Sequence, residues 1–110
     1  MIKIVIYKAK EGRIKGFKIS GHSGYGIRGT DIVCSAVSAL GQTAILGLLK
    51  VAEVKVDYRI DEGYLTCSIT DAESDKKRIM CEAILETIYT GFKSIEESYT
   101  RHIDIVEEEV

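Results

Sequence analysis

The feature that most constrains the fold is an uncharged segment, residues 32 to 49, in a chain whose side chains are 29% charged. Its length reaches that of a membrane-spanning helix. Polar side chains and glycines nevertheless run through it, namely Cys34, Ser35, Ser38, Gly41, Gln42, Thr43 and Gly47. We therefore expect no membrane span and predict a buried helix from Ile32 to Leu49. Because this helix is apolar on most of its circumference, it needs cover from a sheet and from a second helix or a second subunit.

Alternating apolar residues predict four β-strands, two before that helix and two after it. The strands are expected at residues 2–7, 13–20, 54–60 and 65–69, with turns at Lys10-Glu11-Gly12 and Asp61-Glu62-Gly63. In the second strand, Arg13 and Lys15 precede Phe17 on its face. We therefore expect the beginning of that strand to project beyond the core.

The C-terminal half predicts a second helix and a last strand. Apolar residues recur at helical spacing from Ser74 to Tyr99, and the opposite face is charged. The segment from Arg101 to Val110 predicts an edge strand, whose acidic end discourages further pairing. The order is then β-β-α-β-β-α-β, which indicates an α+β fold with a mainly antiparallel sheet packed against two helices in two layers. No proline, repeat or linker interrupts the chain, so we expect residues 1–110 to form a single domain.

Charge and cysteine content limit the classes of partner and the cellular compartment that this chain suits. The net charge of −2 and the pI near 5.7 argue against direct nucleic-acid binding, which needs a basic surface, and suit a basic peptide better. The three cysteines form no CxxC pair, and no secretory signal is apparent. This pattern is typical of the reducing cytoplasm and makes disulfides unexpected. Cys67 and Cys81 fall on predicted inward faces, where core packing is expected.

A glycine-rich loop that begins near His22 leads into the uncharged helix and its cysteine, Cys34. Asp31 can cap this helix, which makes Cys34 its third or fourth residue. There the free backbone N–H groups and the helix dipole favour a thiolate. His22 lies across the loop and can accept the thiol proton if the loop folds back. Backbone N–H groups at the helix start are expected to hold an oxyanion.

This region resembles the active-site region of the ribosomal-processing cysteine proteases, the small bacterial family called Prp. Gly21-His22 opens the motif, Gly29 to Cys34 supplies its Gly-x-Asp-x-x-Cys portion, and Ser35-Ala36-Val37-Ser38 continues the helix. Ser23 and Ser35 stand where alanine is common in the family. Length and element order fit nearly the whole chain.

The resemblance implies a cysteine endopeptidase without a cofactor, in which Cys34 is the nucleophile and His22 the base. It implies as substrate a precursor of the twenty-seventh bacterial large-subunit ribosomal protein, which carries a short N-terminal extension. It also implies a homodimer, and the nearly all-round apolar helix supports one independently.

The remaining residues of the motif are assigned to binding and support. We expect the substrate to contact Gly21, Ser23, Gly24, Tyr25, Gly26 and Gly29, in a loop that closes over an extended peptide. Asp31 either caps the helix or orients His22. Ser38 either donates to the thiolate or peptide, or bonds back to the carbonyl of Cys34.

Other interpretations of these residues stay open. The glycines resemble a phosphate cradle only weakly, since a Walker loop ends in Gly-Lys-Ser/Thr and Asp31 would repel phosphate. A non-catalytic ribosome-assembly factor could use the loop as a peptide clamp. A metal site on His22 and Cys34 lacks the usual ligand spacing. His102, in the charged C-terminal stretch, is expected at the solvated surface.

Overall fold

The computed structural model describes residues 1–27, 30–70 and 72–110. Within these residues the elements follow the predicted order. They are β1 (Ile2–Lys8), β2 (Ile14–Ser20), α1 (Ile32–Lys50), β3 (Val56–Asp61), β4 (Tyr64–Ile69), α2 (Asp75–Ser98) and β5 (Ile103–Glu109). The α+β prediction, with one mostly antiparallel sheet and two helices, is therefore confirmed.

The strands form one sheet in the order β3-β4-β2-β1-β5. Short turns make β1–β2 and β3–β4 antiparallel hairpins, and β2 pairs antiparallel with β4. The chain reaches β5 only after α2, and β5 runs parallel to β1 with Ile103 opposite Ile2. Since β5 is an outer strand, the prediction of an acidic C-terminal edge strand is confirmed.

The beginning of β2 differs from the expectation. The register with β1 shifts so that Lys15 is passed over and Ile14 pairs with Lys8. This β-bulge places Ile14 on the same face as Phe17, where its side chain is 2% exposed. The expectation that Arg13 and Lys15 carry the start of the strand beyond the core is wrong, because the bulge changes the alternation that the sequence pattern assumes.

Helix α1 is covered on two sides. Its buried residues are Val33, Val37, Gly41, Ala44, Ile45 and Leu48, which belong to the core between the sheet and the helices. On another side it lies against α2, so closely that a Cβ added at Gly47 would be 3.4 Å from Ile84 Cγ2. By length and composition alone, α1 is the one helix among the described residues that qualifies to cross a membrane, a test that core helices also pass.

The core between α2 and the sheet contains the only two phenylalanines of the chain. The rings of Phe17 on β2 and Phe92 on α2 meet edge to face with centroids 5.6 Å apart. Cys67 and Cys81 are each 1% exposed in this core, as predicted. Ser74 caps α2 by accepting a hydrogen bond from the Lys77 N–H at 3.2 Å.

Candidate active site

A cavity of about 740 Å³ opens between the first turns of α1, the loop after β2 and the turn of the β3–β4 hairpin. His22 and Cys34 both line it, although they come from different elements. Several other residues singled out in the sequence line it too, namely Gly21, Gly24, Gly26, Asp31 and Ser38. The open side of α1, with Ala39, Gln42 and Leu46, forms a wall of the same cavity. The buried side of this helix packs against the sheet and α2.

Cys34 is the third residue of α1, and its position follows from the helix cap. Asp31 is the N-cap, and its Oδ1 accepts hydrogen bonds from the N–H groups of Val33 at 2.9 Å and Cys34 at 3.0 Å. Cys34 is half-buried, and its Sγ accepts a hydrogen bond from the Ser23 N–H at 3.3 Å. The loop after β2 therefore supplies a donor to the sulfur.

The same cap changes the expected oxyanion site. The N–H groups of Val33 and Cys34 are the helix-start donors nearest to the sulfur in sequence, and both already point at the Asp31 carboxylate. They are therefore engaged in capping, and the expectation that the helix start offers free donors to an oxyanion does not hold for these two groups.

Asp31 also ties the loop to the helix. Its side chain is 4% exposed, and Oδ2 accepts hydrogen bonds from the Ser23 hydroxyl and from the Gly26 N–H, the latter at 3.1 Å. Burial alone would raise the pKa of Asp31, but the hydrogen bonds from Ser23, Cys34, Gly26 and Val33 outweigh it and lower the pKa to about 2. The predicted cap is present. Within the described chain none of these hydrogen bonds reaches His22, so the orienting role of Asp31 stays a prediction.

His22 is exposed and lies against the β3–β4 turn. The Gly21 N–H donates to the Gly63 carbonyl at 3.0 Å, which holds the loop on the hairpin. A Cβ built on Gly63 would lie 2.9 Å from Nε2 of His22. The sequence identified Gly63 only as a turn residue, because nothing in its local pattern shows that the turn meets the histidine.

Ser38 and Tyr25 have contacts other than those expected. The Ser38 hydroxyl accepts a hydrogen bond from Gln42 Nε2 at 3.0 Å, and among the described residues no bond joins it to Cys34. The Tyr25 ring packs edge-on against Tyr99 and His102, with centroids 5.2 Å and 5.3 Å away. Gly29, assigned to the loop from the sequence, lies outside the described residues.

His102 differs most from the sequence-based expectation. It is half-buried, and its Nδ1 lies 2.8 Å from the Ser23 carbonyl oxygen. The expectation of a solvated surface role is therefore wrong. The sequence held no signal for this contact, which depends on the parallel pairing that brings the start of β5 beside the start of β1. Among the described residues, no group of three His, Cys, Asp or Glu side chains is arranged to hold a metal ion.

Comparisons with known proteins show the family to which this chain is similar. The model of a family described as Cysteine protease Prp matches residues 1–104. The ribosomal processing cysteine protease Prp of Staphylococcus aureus is 27% identical over 105 residues, covering 94% of this chain and 95% of that protein. The Bacillus subtilis protein of the same name is 23% identical over 107 residues, covering 96% of each.

Solved structures show the same fold. The S. aureus protease Prp in complex with a covalently linked product peptide superimposes with a TM-score of 0.87 at 25% identity, covering 98% of this chain and 100% of that one. SMU.848 from Streptococcus mutans superimposes with a TM-score of 0.82 at 24% identity, covering 100% of this chain and 96% of that one.

Proposed function

The chain belongs to the Prp family of cysteine proteases, and from this premise we propose that it removes a short N-terminal extension from a bacterial large-subunit ribosomal protein, the twenty-seventh of the series. The relatives from S. aureus and B. subtilis carry the name ribosomal processing cysteine protease, which supports a ribosomal protein as substrate. The choice of the twenty-seventh protein rests on the family resemblance. We assign Cys34 as nucleophile and His22 as general base and acid.

The observation that carries the residue assignment is the shared cavity. Cys34 and His22 line the same space of about 740 Å³, and Cys34 is the half-exposed cysteine, whereas Cys67 and Cys81 are buried. The Ser23 N–H donates to Sγ at 3.3 Å, so the loop that carries His22 is joined directly to the sulfur of Cys34. A thiol nucleophile and an imidazole base in one peptide-sized cavity are the groups that cysteine proteolysis needs.

In the first half of the reaction His22 takes the proton of the Cys34 thiol, and Sγ attacks the scissile carbonyl carbon. The tetrahedral intermediate collapses when the C–N bond breaks, and the His22 imidazolium gives its proton to the leaving amine. The fragment that leaves, with its new amino terminus, is the mature ribosomal protein. The removed extension remains as a thioester on Cys34.

In the second half a water molecule loses a proton to His22 and attacks the thioester carbonyl. The C–S bond breaks, the carboxylate of the extension leaves, and the Cys34 sulfur regains a proton from His22. The S. aureus relative has been solved with a covalently linked product peptide, which supports a covalent step.

The cavity walls fit a peptide with apolar and basic side chains. Apolar residues from four elements line the cavity, namely Ile2, Ile19, Val37, Leu46 and Leu65. Asp61 and Glu62 line it at the hairpin turn, and the chain as a whole has a net charge of −2. Apolar walls bind apolar side chains by removing them from water. The Asp61 carboxylate already pairs with Arg59, so the preference for lysine and arginine rests on the net negative charge of the chain.

We also propose that the protein acts as a homodimer in the cytoplasm. The support from this structure is the outer strand β3, where Tyr58 and Ile60 are 48% and 46% exposed. All three cysteines are free, which suits a reducing compartment. Sedimentation of the protein as a monomer at micromolar concentration would contradict the dimer.

The test is cleavage of a synthetic peptide that spans the extended N-terminus of the ribosomal protein. Wild type, Cys34→Ala, His22→Ala and Cys81→Ala are incubated with it, and the products are identified by mass spectrometry. Cys81→Ala is the matched control, because Cys81 lies on α2, is buried in the core and does not line the cavity. We expect one cut by wild type and Cys81→Ala, and none by the other two variants.

The alternatives give different patterns. Cleavage by Cys34→Ala would contradict the nucleophile, and unchanged cleavage by His22→Ala would contradict the base. If no protein cuts the peptide but Cys34→Ala and wild type bind it equally tightly, the proposed substrate reaction is wrong and a peptide-binding assembly factor is supported instead.

A further inference from the structure

Ser23 has every polar atom in a hydrogen bond, although it sits in a loop. Its N–H donates to Cys34 Sγ, its hydroxyl donates to Asp31, and the same hydroxyl accepts from the Tyr25 N–H at 3.0 Å. The residue is 3% exposed. Three of its partners therefore belong to the loop and the start of α1, and only its carbonyl is bonded to a different part of the fold.

The partner of that carbonyl is His102, which is 79 residues away in sequence. Nδ1 of His102 lies 2.8 Å from the Ser23 oxygen. A carbonyl oxygen can only accept a hydrogen bond, so Nδ1 carries the proton and donates it. This contact fixes the tautomer of a neutral His102 ring.

His102 is itself firmly placed on the sheet. Its N–H donates to the Tyr99 carbonyl at 2.9 Å, and its carbonyl accepts from the Ile2 N–H at 2.9 Å. The next residue begins β5, which pairs with β1 along its whole length. The ring therefore projects from a backbone that is bonded on both sides, and it provides a fixed donor against which the loop rests.

We propose that His102 is a positioning residue of the active site, which holds Ser23 by its carbonyl so that the Ser23 N–H stays on the sulfur of Cys34. This inference rests on the proposed role of Cys34 as nucleophile. This N–H is the donor that the loop supplies to the sulfur, and a hydrogen bond to a charged sulfur is stronger than one to a neutral sulfur, so displacing Ser23 should slow the reactions of Cys34. His102 does not line the cavity, and its ring is bonded to the Ser23 carbonyl and not to the sulfur.

Two contacts of His102 must be separated in the test, because its ring also packs against Tyr25. His102→Asn keeps a donor near the position of Nδ1 and removes the aromatic ring. His102→Phe keeps a ring for Tyr25 and removes the donor. His102→Ala is a second variant without a donor, in case the phenyl ring disturbs β5.

The measurement is the rate constant of Cys34 alkylation by iodoacetamide at pH 7, which needs no substrate and reports the thiolate directly. We expect His102→Phe and His102→Ala to react about fivefold to tenfold more slowly than wild type, which is less than the full loss of a hydrogen bond to a charged group, because the Ser23 N–H is displaced and not removed. His102→Asn should stay within about twofold of wild type. In urea all four proteins should react at one rate, and circular dichroism verifies their folding.

Other patterns would overturn the inference. If His102→Phe reacts like wild type while His102→Asn is slow, ring packing on Tyr25 is what matters. Equal rates for all folded variants would show that the loop keeps its place without His102. Peptide cleavage tests the proposed function separately. If the alkylation rates of the variants follow the expected pattern but wild type does not cut the peptide, the protease reaction is contradicted and the positioning role still holds.

Discussion

The imidazole of His22 rests on the backbone of Gly63, so closely that a methyl group on Gly63 would approach Nε2 to 2.9 Å. Gly63 also has a φ of +69°, which favours glycine, and its carbonyl accepts the Gly21 N–H. The β3–β4 turn is thus a support for the histidine and not only a connection between strands. The strain of a side chain at this φ and the displacement of His22 are two separate consequences of any substitution.

We expect Gly63→Ala to lower peptide cleavage by about tenfold or more, because a small displacement of a base misaligns proton transfer. It should also lower the free energy of unfolding by about 1 kcal/mol through the strained φ. The measurements are kcat/KM on the peptide substrate and urea unfolding of the same preparation.

Gly12→Ala is the matched control for this change. Gly12 also lies in a turn with positive φ, +95°, but an added Cβ there would meet nothing within 4 Å. It should therefore lose similar stability and keep its activity. If both variants lose activity in proportion to their stability, the support of His22 by Gly63 has no part in catalysis.

The thiols of the native protein should differ sharply in reactivity. Burial raises the pKa of Cys67 to about 12 and also raises the pKa of Cys81, where the nearby Glu82 adds to the effect of burial. We expect intact-mass spectrometry to find one iodoacetamide adduct per native chain at pH 8 and three after denaturation. Native Cys34→Ala should take up none. A second adduct that forms on wild type at the rate of the first would contradict this order.

Local patterns were sufficient to predict the elements and the place of Cys34. Asp31 fits an N-cap because the uncharged run begins just after it, and the cap then fixes Cys34 in the first turn of α1. The β3–β4 hairpin follows from a two-residue turn with a glycine. These features depend on residues close in sequence, which a pattern can show.

Features that depend on distant pairing could not be predicted. The bulge that turns Ile14 inward is set by the register of β2 against β1, and the pattern of residues 13–20 does not predict it. Likewise His102 reaches Ser23 only because β5 pairs parallel with β1. The sequence therefore indicated Cys34 and His22 as candidate catalytic residues, but it did not show which distant contacts position them.

Two glycines of α1 should respond differently to the same substitution. A Cβ at Gly47 would meet Ile84 at 3.4 Å, an ordinary contact, so Gly47→Ala should stabilise the protein by up to about 1 kcal/mol through helix propensity. A Cβ at Gly41 would meet Ile19 Cδ1 at 2.9 Å and the Leu65 methyl groups at 3.3 Å. Gly41→Ala should therefore gain less or lose stability.

The Gly41 substitution also tests the cavity, because Ile19 and Leu65 line it. The added methyl group at Gly41 should displace these two side chains and so raise KM for the peptide, whereas Gly47→Ala should leave KM unchanged. Urea midpoints and peptide kinetics on both variants measure the two effects. Equal stabilisation by the two substitutions, with equal KM, would contradict the close packing at Gly41.

Asp31→Asn should separate the helix cap from the link to the loop. The amide oxygen can still accept the N–H groups of Val33 and Cys34, but the amide nitrogen that replaces Oδ2 faces the Gly26 N–H, which is also a donor. Gly26 is exposed and this contact is only half-buried, so leaving its N–H without the carboxylate should cost about 1 kcal/mol at pH 7. Urea unfolding measures the loss. Asp75→Asn is the control, since Asp75 begins α2 at the surface and pairs only with Arg78 among the described residues, which is worth little.

The stability difference between wild type and Asp31→Asn should depend on pH. The pKa of Asp31 is lowered from 3.8 to about 2 in the folded chain, so the folded state binds fewer protons than the unfolded state between these values. The contribution of the carboxylate is then complete above about pH 4 and is lost as the pH falls to about 2. Urea unfolding of both proteins at pH 7, 5, 4 and 3 should show the difference constant at first and shrinking at pH 3. A difference that stays the same throughout would mean that the Asp31 charge, and with it the link to Ser23 and Gly26, does not stabilise the fold.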